Sequence, residues 1–419
     1  MKSKPGHRRF KLAIVGMTLL AMAGLFAAFP LARFRLYLKA KEARDALLQR
    51  TLGLEPDRAS IEADWAEKRA RGIERTRKVL ADFYVQAETS DALRELFKVA
   101  GMDPDHGLIR YGRGDQAFLI SPQVFEQADN GRSYRMRPDT RSVWLRQITL
   151  HKGPFGMFQV LDDAPHRAAA VKAGAIVDEH SVQHTNSWGL RGREPDLTAP
   201  IRGVILGDSF MQAMFNGDDE TPAGYLEQVL AAAWKQPASI LNTGHIGYSP
   251  EQYYFSLKEY GDRFKPQFVV VSVCPNDFGD GWDVLSGRGD WWAEAGYWID
   301  EIVGWCRSRS INCLMVPVPT YTQIENGFHE IYYPGMVREL FRAHPTRYCD
   351  PLNEFIDESL RLSRLAKAAG SPSTRSALYN RAIDDDHFSP AGAAFWAKIV
   401  GRRLVGLMDP PPAAQGSKP

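Results

Sequence analysis

Four apolar runs recur along the second half of the chain, separated by stretches with helical character. The runs lack the strict alternation of polar and apolar residues that marks a half-exposed strand, which is typical of strands buried on both faces. The runs comprise residues 203–206, 239–242, 268–273 and 311–319, and the helical stretches between them comprise residues 221–236, 250–264 and 290–310. This order predicts an α/β domain over residues 201–408 with a central, mostly parallel sheet.

The first half of the chain shows two different patterns. Residues 33–100 are rich in Ala, Glu, Arg and Leu, which favours charged amphipathic helices, and we interpret them as a helical stalk or packing region. In residues 101–200, Gly, Pro, Asp and aromatic residues divide short segments that look like strands joined by turns, so we expect a small β-rich region. This region ends in NSWGLRGRE, residues 186–194, where two glycines bracket a tight, basic turn.

An uncharged segment near the N-terminus is long enough to cross a bilayer. Residues 12–32 hold 21 residues without a charge behind the basic tail 1–11, and a helix of that length spans about 30 Å. We therefore predict a transmembrane anchor with the rest of the chain exported, as the basic leading flank favours. The alternative is a signal peptide cleaved at the AMA sequence of residues 21–23, which also exports the globular part. The Pro-rich residues 409–419 are expected to be disordered.

Composition narrows the classes of function. Hydrophobic residues make up 44% and charged residues 24% of the chain, as in ordinary globular proteins. A net charge of +2, with no stripe of Lys and Arg among aromatic residues, gives no case for a nucleic-acid partner. The four cysteines lack CxxC spacing, so a zinc site is not expected. Cys313 and Cys349 lie near strands of the same predicted sheet, and either they form a disulfide or the thiols are free.

Polar clusters stand where the predicted strands end. They are GDS at residues 207–209, NTGHIG at 242–247, CPND at 274–277, and DDDH at 384–387 just before an Ala-rich helix. Because ligands and catalytic groups of open α/β sheets gather beyond the carboxyl ends of the strands, we expect the four clusters to converge. Asp208 and Asp277 are expected to fix their loops rather than to react.

The clusters contain the parts of an activated serine. A serine hydroxyl needs a neighbouring imidazole to take its proton, and the imidazole needs a carboxylate on its other nitrogen. We therefore predict that Ser209, Asp384 and His387 form a catalytic triad. The oxyanion of an acyl-transfer intermediate would be bound by the backbone N–H groups of Ser209 and Gly247 and by the side-chain amide of Asn276.

The four blocks, in this order, resemble those of the SGNH/GDSL hydrolase superfamily. GDSF resembles the first block, NTGHIGYS the second, CPND the third and DDDH the last, and NSWGLRGRE resembles a segment found upstream in exported members. The resemblance covers about residues 202–407 and implies a three-layer α/β/α sandwich that performs ester or related acyl-transfer chemistry without a metal or organic cofactor. Two features depart from the pattern. Cys274 stands where the family usually has glycine, and the second block is loose enough for Gly244 to compete with Gly247 as oxyanion donor. The spacing from Asn242 favours Gly247.

Together these features predict a membrane-anchored serine esterase whose catalytic domain is exported, to the periplasm or an equivalent extracytoplasmic space. Its substrate would be a carbohydrate O-acyl ester or a lipid ester, cleaved through an acyl intermediate on Ser209. Two alternatives remain open: an O-acyltransferase that modifies an envelope polysaccharide, and a catalytically inactive binding or assembly module. The expected partners are the ester-bearing substrate and the membrane.

Overall fold

The computed structural model describes residues 91–102, 108–111, 117–128, 133–146, 157–278, 291–326, 347–371, 377–380 and 386–408. The predicted basic tail, the predicted anchor at residues 12–32, most of the predicted helical region and the tail at 409–419 lie outside these segments. Within the described segments, no helix is both long and apolar enough to cross a bilayer.

The described part of residues 91–200 contains two α-helices and a series of short antiparallel strands. The helices are α1 (Asp91–Val99) and α2 (Ala164–Lys172), and the strands are β1 (Leu108–Tyr111), β2 (Ala117–Ile120), β3 (Phe125–Ala128), β4 (Ser133–Met136), β5 (Arg141–Arg146), β6 (Met157–Leu161), β7 (Ile176–Val177) and β8 (Gln183–His184). β1 pairs with β2, β3 with β4, and β5 with β6, β7 and β8. The sequence pattern predicted the strands but not α2, which Asp163 caps by accepting a hydrogen bond from the amide of His166.

From residue 201 onward, strands and helices alternate as predicted. The strands are β9 (Ile201–Leu206), β10 (Ala238–Asn242), β11 (Phe268–Val273), β12 (Asn312–Pro317) and β13 (Arg347–Tyr348), and the helices are α3 (Ser209–Gln212), α4 (Pro222–Trp234), α5 (Pro250–Phe264), α6 (Trp291–Ser308), α7 (Tyr321–Asn326), α8 (Leu352–Ala368) and α9 (Pro390–Val405). Short 3-10 turns lie at Glu179–Ser181, Asp218–Glu220 and Pro275–Phe278.

The five strands β9 to β13 form one parallel sheet in the order β10-β9-β11-β12-β13. The chain leaves β9 toward one edge of the sheet to make β10 and then crosses back to make β11 on the other side of β9. The order of the strands therefore reverses at β9, and ligand sites in such sheets lie beyond the carboxyl ends of the strands at this switch point.

Side chains of the sheet alternate between two separate core clusters. In β9, Val204 and Leu206 belong to the cluster that contains the buried residues of α5 and α6, whereas Ile205 belongs to the cluster that contains those of α4 and α9. Neighbouring residues of a strand point to opposite faces of a sheet, so helices cover both faces. The described part of residues 201–408 is thus an α/β fold with a helix layer on each side of a parallel sheet.

All four cysteines are free thiols in the structure. Cys313 on β12 belongs to the core cluster of α5 and α6, while Cys349 packs against the cluster on the other face of the sheet. The thiol of Cys313 hydrogen-bonds Cys306 in α6, and this contact together with burial raises its pKa well above the usual value. Both cysteines lie near strands of the same sheet, as the sequence predicted, but the bridge between Cys313 and Cys349 is not formed because the two thiols lie on opposite faces.

Two glycines of the same domain allow a matched test of the packing. A Cβ added to Gly203 in β9 would lie 2.2 Å from Cζ of the buried Phe268 ring on β11, whereas a Cβ added to Gly304 in α6 would meet no atom within 4 Å. We expect Gly203→Ala to lower the free energy of unfolding by about 1–3 kcal/mol, because a core already filled must shift.

The same change at Gly304 should raise the free energy of unfolding by roughly 0.5–1 kcal/mol, because alanine loses less backbone entropy than glycine in a helix. Denaturant unfolding of the two variants, compared at equal m-values, measures both effects. A Gly203→Ala variant as stable as the parent chain would contradict the packing of β9 against β11.

Candidate active site

The turn between β9 and α3 places Ser209 at the carboxyl edge of the sheet. β9 ends at Leu206, and Gly207 lets the chain turn sharply, since a Cβ there would lie 2.3 Å from Cγ of Met211. Asp208 caps α3 by accepting a hydrogen bond from the amide of Phe210 at 3.0 Å. Ser209 is the first residue of the helix, and it is buried with 7% of its surface exposed.

His387 meets Ser209 across the top of the sheet. Its Nε2 atom lies 2.7 Å from Oγ of Ser209, the distance of a hydrogen bond. The imidazole also lies beside the Phe210 ring, with a centroid separation of 4.7 Å. His387 comes just before Ser389, which caps α9. With Nδ1 protonated, Nε2 is the acceptor in this hydrogen bond, which is the arrangement that general-base action requires.

The structure does not describe the predicted acid of the triad. Asp384 lies within residues 381–385, outside the described segments, so its assignment stays a prediction. The neighbouring Asp386, which is described, is exposed.

The second block contains Gly244 and Gly247, which differ in their packing and in the hydrogen bonding of their N–H groups. The amide of Gly244 donates to Oδ1 of Asn242 at 3.0 Å, and a Cβ at Gly244 would lie 2.6 Å from the amide nitrogen of Gln212 in α3. Gly244 therefore allows the chain to pack closely against α3, and its N–H already donates to Asn242. Gly247 has φ of 60° in a tight turn, and its N–H, like that of Ser209, has no acceptor in the described part of the chain. This difference supports Gly247 as the oxyanion donor.

The third block is held by Asp277. Its carboxylate accepts hydrogen bonds from the amide of Cys274 at 2.7 Å and from the hydroxyl of Tyr253 at 3.0 Å. This fixes the 3-10 turn that carries Asn276. The side chains of Asn276 and Cys274 interact with the Asp208 carboxylate, so the third block lies beside the residue that precedes the serine. Asp208 and Asp277 thus fix their loops, as expected from the sequence.

Asp208 is a buried carboxylate next to the serine–histidine pair. Burial raises its pKa, while the Phe210 amide, the charge of protonated His387 and the side chains of Cys274 and Asn276 act in the opposite direction. The attraction between Asp208 and His387 works both ways, because a carboxylate that is stabilised by a cation stabilises that cation equally.

Residues 101–200 supply side chains to this site that the sequence analysis missed. The hydroxyl of Tyr134 in β4 donates to the carbonyl of Ile246, and the hydroxyl of Tyr248 donates to the carbonyl of Tyr134. The amide of Ile246 in turn donates to Oε1 of Gln212 at 2.5 Å. The loop that carries Gly247 is therefore held between β4 and α3. A single tyrosine or glutamine gives no periodic signal that identifies its partner, so the pattern of the sequence could not reveal these contacts.

Comparisons with known proteins return solved structures of low sequence identity. No protein-family model matches the chain, and no curated protein matches it. Similar solved structures include the acetyl xylan esterase AlAXEase, with 16% identity, a TM-score of 0.36 and coverage of 50% of this chain and 100% of that one. They also include a lipase/acylhydrolase from Enterococcus faecalis, with 15% identity, a TM-score of 0.36 and coverage of 50% and 98%. A third is AlinE4, an SGNH-hydrolase family esterase, with 19% identity, a TM-score of 0.28 and coverage of 35% and 74%.

The position of Asp208 predicts a change in pH dependence for Asp208→Asn. Asparagine keeps the oxygen that caps α3 but removes the negative charge, so the protonated form of His387 loses a stabilising partner. More acid is then needed to protonate the imidazole, so the acidic limb of the kcat/KM profile for an aryl ester should move to lower pH. An unmoved limb would show that Asp208 carries no charge in the working range.

Proposed function

We propose that the chain is a serine hydrolase of the SGNH/GDSL type that cleaves an ester through an acyl intermediate on Ser209. The observation that carries this proposal is the hydrogen bond of 2.7 Å between Oγ of Ser209 and Nε2 of His387. It joins two sequence blocks 178 residues apart at the switch point of a parallel sheet, where such sites form.

The geometry supports a sequence of proton transfers. Nε2 of His387 takes the proton of Ser209 while Oγ attacks the ester carbonyl. The imidazolium then gives the proton to the leaving alcohol, and the acyl group stays on Oγ. Water, deprotonated by the same imidazole, then attacks the acyl carbon, and the imidazolium returns the proton to Oγ of Ser209 as the acid leaves. Asp384 is the proposed partner of Nδ1 of His387 in both halves of the reaction.

The oxyanion that forms in each half-reaction needs donors that are in place beforehand. We propose the N–H groups of Ser209 and Gly247 and the side-chain amide of Asn276. The N–H of Ser209 lies at a helix start, where backbone donors favour negative charge. Loss of a single donor of this kind typically lowers the rate by about 10²–10³-fold.

The proposed place of action is the cell envelope. The basic tail and the uncharged residues 12–32 support a single-pass anchor with the catalytic domain exported, and cleavage at residues 21–23 would instead release a secreted enzyme. The corresponding substrates are O-acylated carbohydrates and lipid esters.

The proposal predicts the behaviour of three active-site variants of the full-length chain and of one control. Ser209→Ala and His387→Ala should each lower kcat/KM by at least about 10³-fold, and the double variant should be little worse, because the two groups act as one unit. Ser371→Ala, a change at an exposed serine after α8, should leave the rate unchanged. The rates are measured with short-chain aryl esters, long-chain esters and acetylated sugars.

Full activity in Ser209→Ala would exclude the serine mechanism. Activity on none of the three ester classes, in a folded parent chain, would favour the binding or assembly module instead.

A second candidate is O-acyl transfer, which needs the same residues but a sugar hydroxyl in place of water. The contacts of Tyr134 with the loop of Gly247 favour a role for residues 101–200 beyond anchoring the domain, and an acceptor site is one such role. The product distinguishes the two reactions: an acyl donor with a labelled acyl group yields labelled free acid by hydrolysis and labelled polysaccharide by transfer.

A further inference from the structure

A fully buried arginine lies behind the nucleophile segment. Arg191, in the turn between β8 and β9, has 2% of its surface exposed. Its Nη1 group donates to the carbonyls of Gln212 and Ala213, and its Nη2 group donates to the carbonyl of Asn216. Carbonyls at a helix C-terminus lack partners within the helix. A single guanidinium therefore satisfies the end of the short helix that begins at Ser209.

Burial destabilises the charged form of Arg191, and a neighbouring carboxylate offsets only part of this effect. Burial lowers the pKa of Arg191 to about 10, and the carboxylate of Asp218, whose Oδ1 lies 3.7 Å from Nε, acts against this. The turn that presents Arg191 is itself strictly shaped: Gly189 has φ of 72°, and a Cβ there would lie 2.6 Å from the carbonyl oxygen of Met136. A buried guanidinium bound to carbonyl oxygens has a fixed geometry, which a hydrophobic residue in its place would not impose.

Asn216 connects the segment bound by Arg191 to the loop that carries His387. The Nδ2 group of Asn216 donates to the carbonyl of Glu220 at 3.1 Å. Its Oδ1 therefore points in the opposite direction, where it accepts from Nδ2 of Asn380 at 3.3 Å. Nδ2 of Asn380 also donates to the carbonyl of Phe388 at 2.9 Å. The backbone N–H of Asn380 donates to the carbonyl of His387 at 2.9 Å.

We propose that Arg191, Asn216 and Asn380 are positioning residues that set the distance between Ser209 and His387. Arg191 fixes the segment that carries the serine, Asn380 fixes the loop that carries the histidine, and Asn216 joins the two. None of the three contacts the reacting atoms in this account, and the inference rests on the proposed function of Ser209 and His387. Their effect is on kcat, because a misplacement of about 1 Å between reacting groups can cost on the order of 10²-fold in rate.

The test compares Arg191→Lys and Asn380→Leu with the parent full-length chain on an aryl ester that the parent hydrolyses. Lysine keeps the charge but cannot bind three carbonyls with fixed geometry, and leucine keeps the size of asparagine but donates no hydrogen bond. We expect kcat to fall roughly 10–100-fold in each variant while KM stays within about threefold. In the double variant the combined loss should be smaller than the product of the two single losses, because the residues act through one connection.

Matched controls separate positioning from stability. Arg193→Lys changes an exposed arginine two residues away that pairs with Asp219, and Asn353→Leu changes an exposed asparagine in α8; both should keep the parent kcat. Unfolding of each variant is measured in the same buffer, so that a smaller folded fraction is not read as a lower kcat.

The outcomes distinguish the two proposals. A parent chain without esterase activity overturns the proposed function itself. An active parent with unchanged kcat in Asn380→Leu, or with losses that multiply independently in the double variant, overturns the positioning proposal alone. If Arg191→Lys does not fold, Asn380→Leu decides the question, because Asn380 is only partly buried.

Discussion

The hydrogen bond between Ser209 and His387 depends on the whole sheet. The two residues are 178 positions apart, and nothing local holds them together. Ser209 is placed by the end of β9, and His387 by the segment that enters α9, which packs with α4 over the face of the sheet that includes Ile205. The reactive pair therefore exists only when the parallel order of strands and both helix layers are formed, and this makes the site sensitive to distant packing.

Much of the architecture follows from the apolar runs of the sequence. Runs without polar alternation predicted strands buried on both faces, and β9 to β12 lie within or close to those runs. The convergence of the polar clusters was predictable for a related reason. Polar residues that directly follow parallel strands lie together at the carboxyl edge of the sheet. The short strand β13 has only two residues, too few for a periodic signal. Whether Cys313 could bridge to Cys349 was not predictable, because the sequence does not show which face of the sheet each thiol takes.

The contacts between residues 101–200 and the candidate site could not be predicted from the sequence. Tyr134, Gln183 and Arg191 each reach residues 201–408 through a hydrogen bond to a backbone carbonyl. Any residue can present a carbonyl, so such pairs have no signature in residue type or spacing. The consequence is physical: the end of β8 and the start of β9 do not separate two independent units, since buried polar groups on one side are satisfied by the other. The engagement of the Gly244 N–H by the side chain of Asn242, which supports Gly247 as the proposed donor, was likewise not visible in the sequence.

The central claim is that Ser209 is an activated nucleophile, and covalent capture tests it most directly. The folded full-length chain is treated with a fluorophosphonate, which reacts with serines that a neighbouring base activates, and the modified peptide is identified by mass spectrometry. The account predicts one adduct, on Ser209, that is absent after denaturation and in His387→Ala. A folded chain that gains no adduct, or gains it on another serine, would contradict the account.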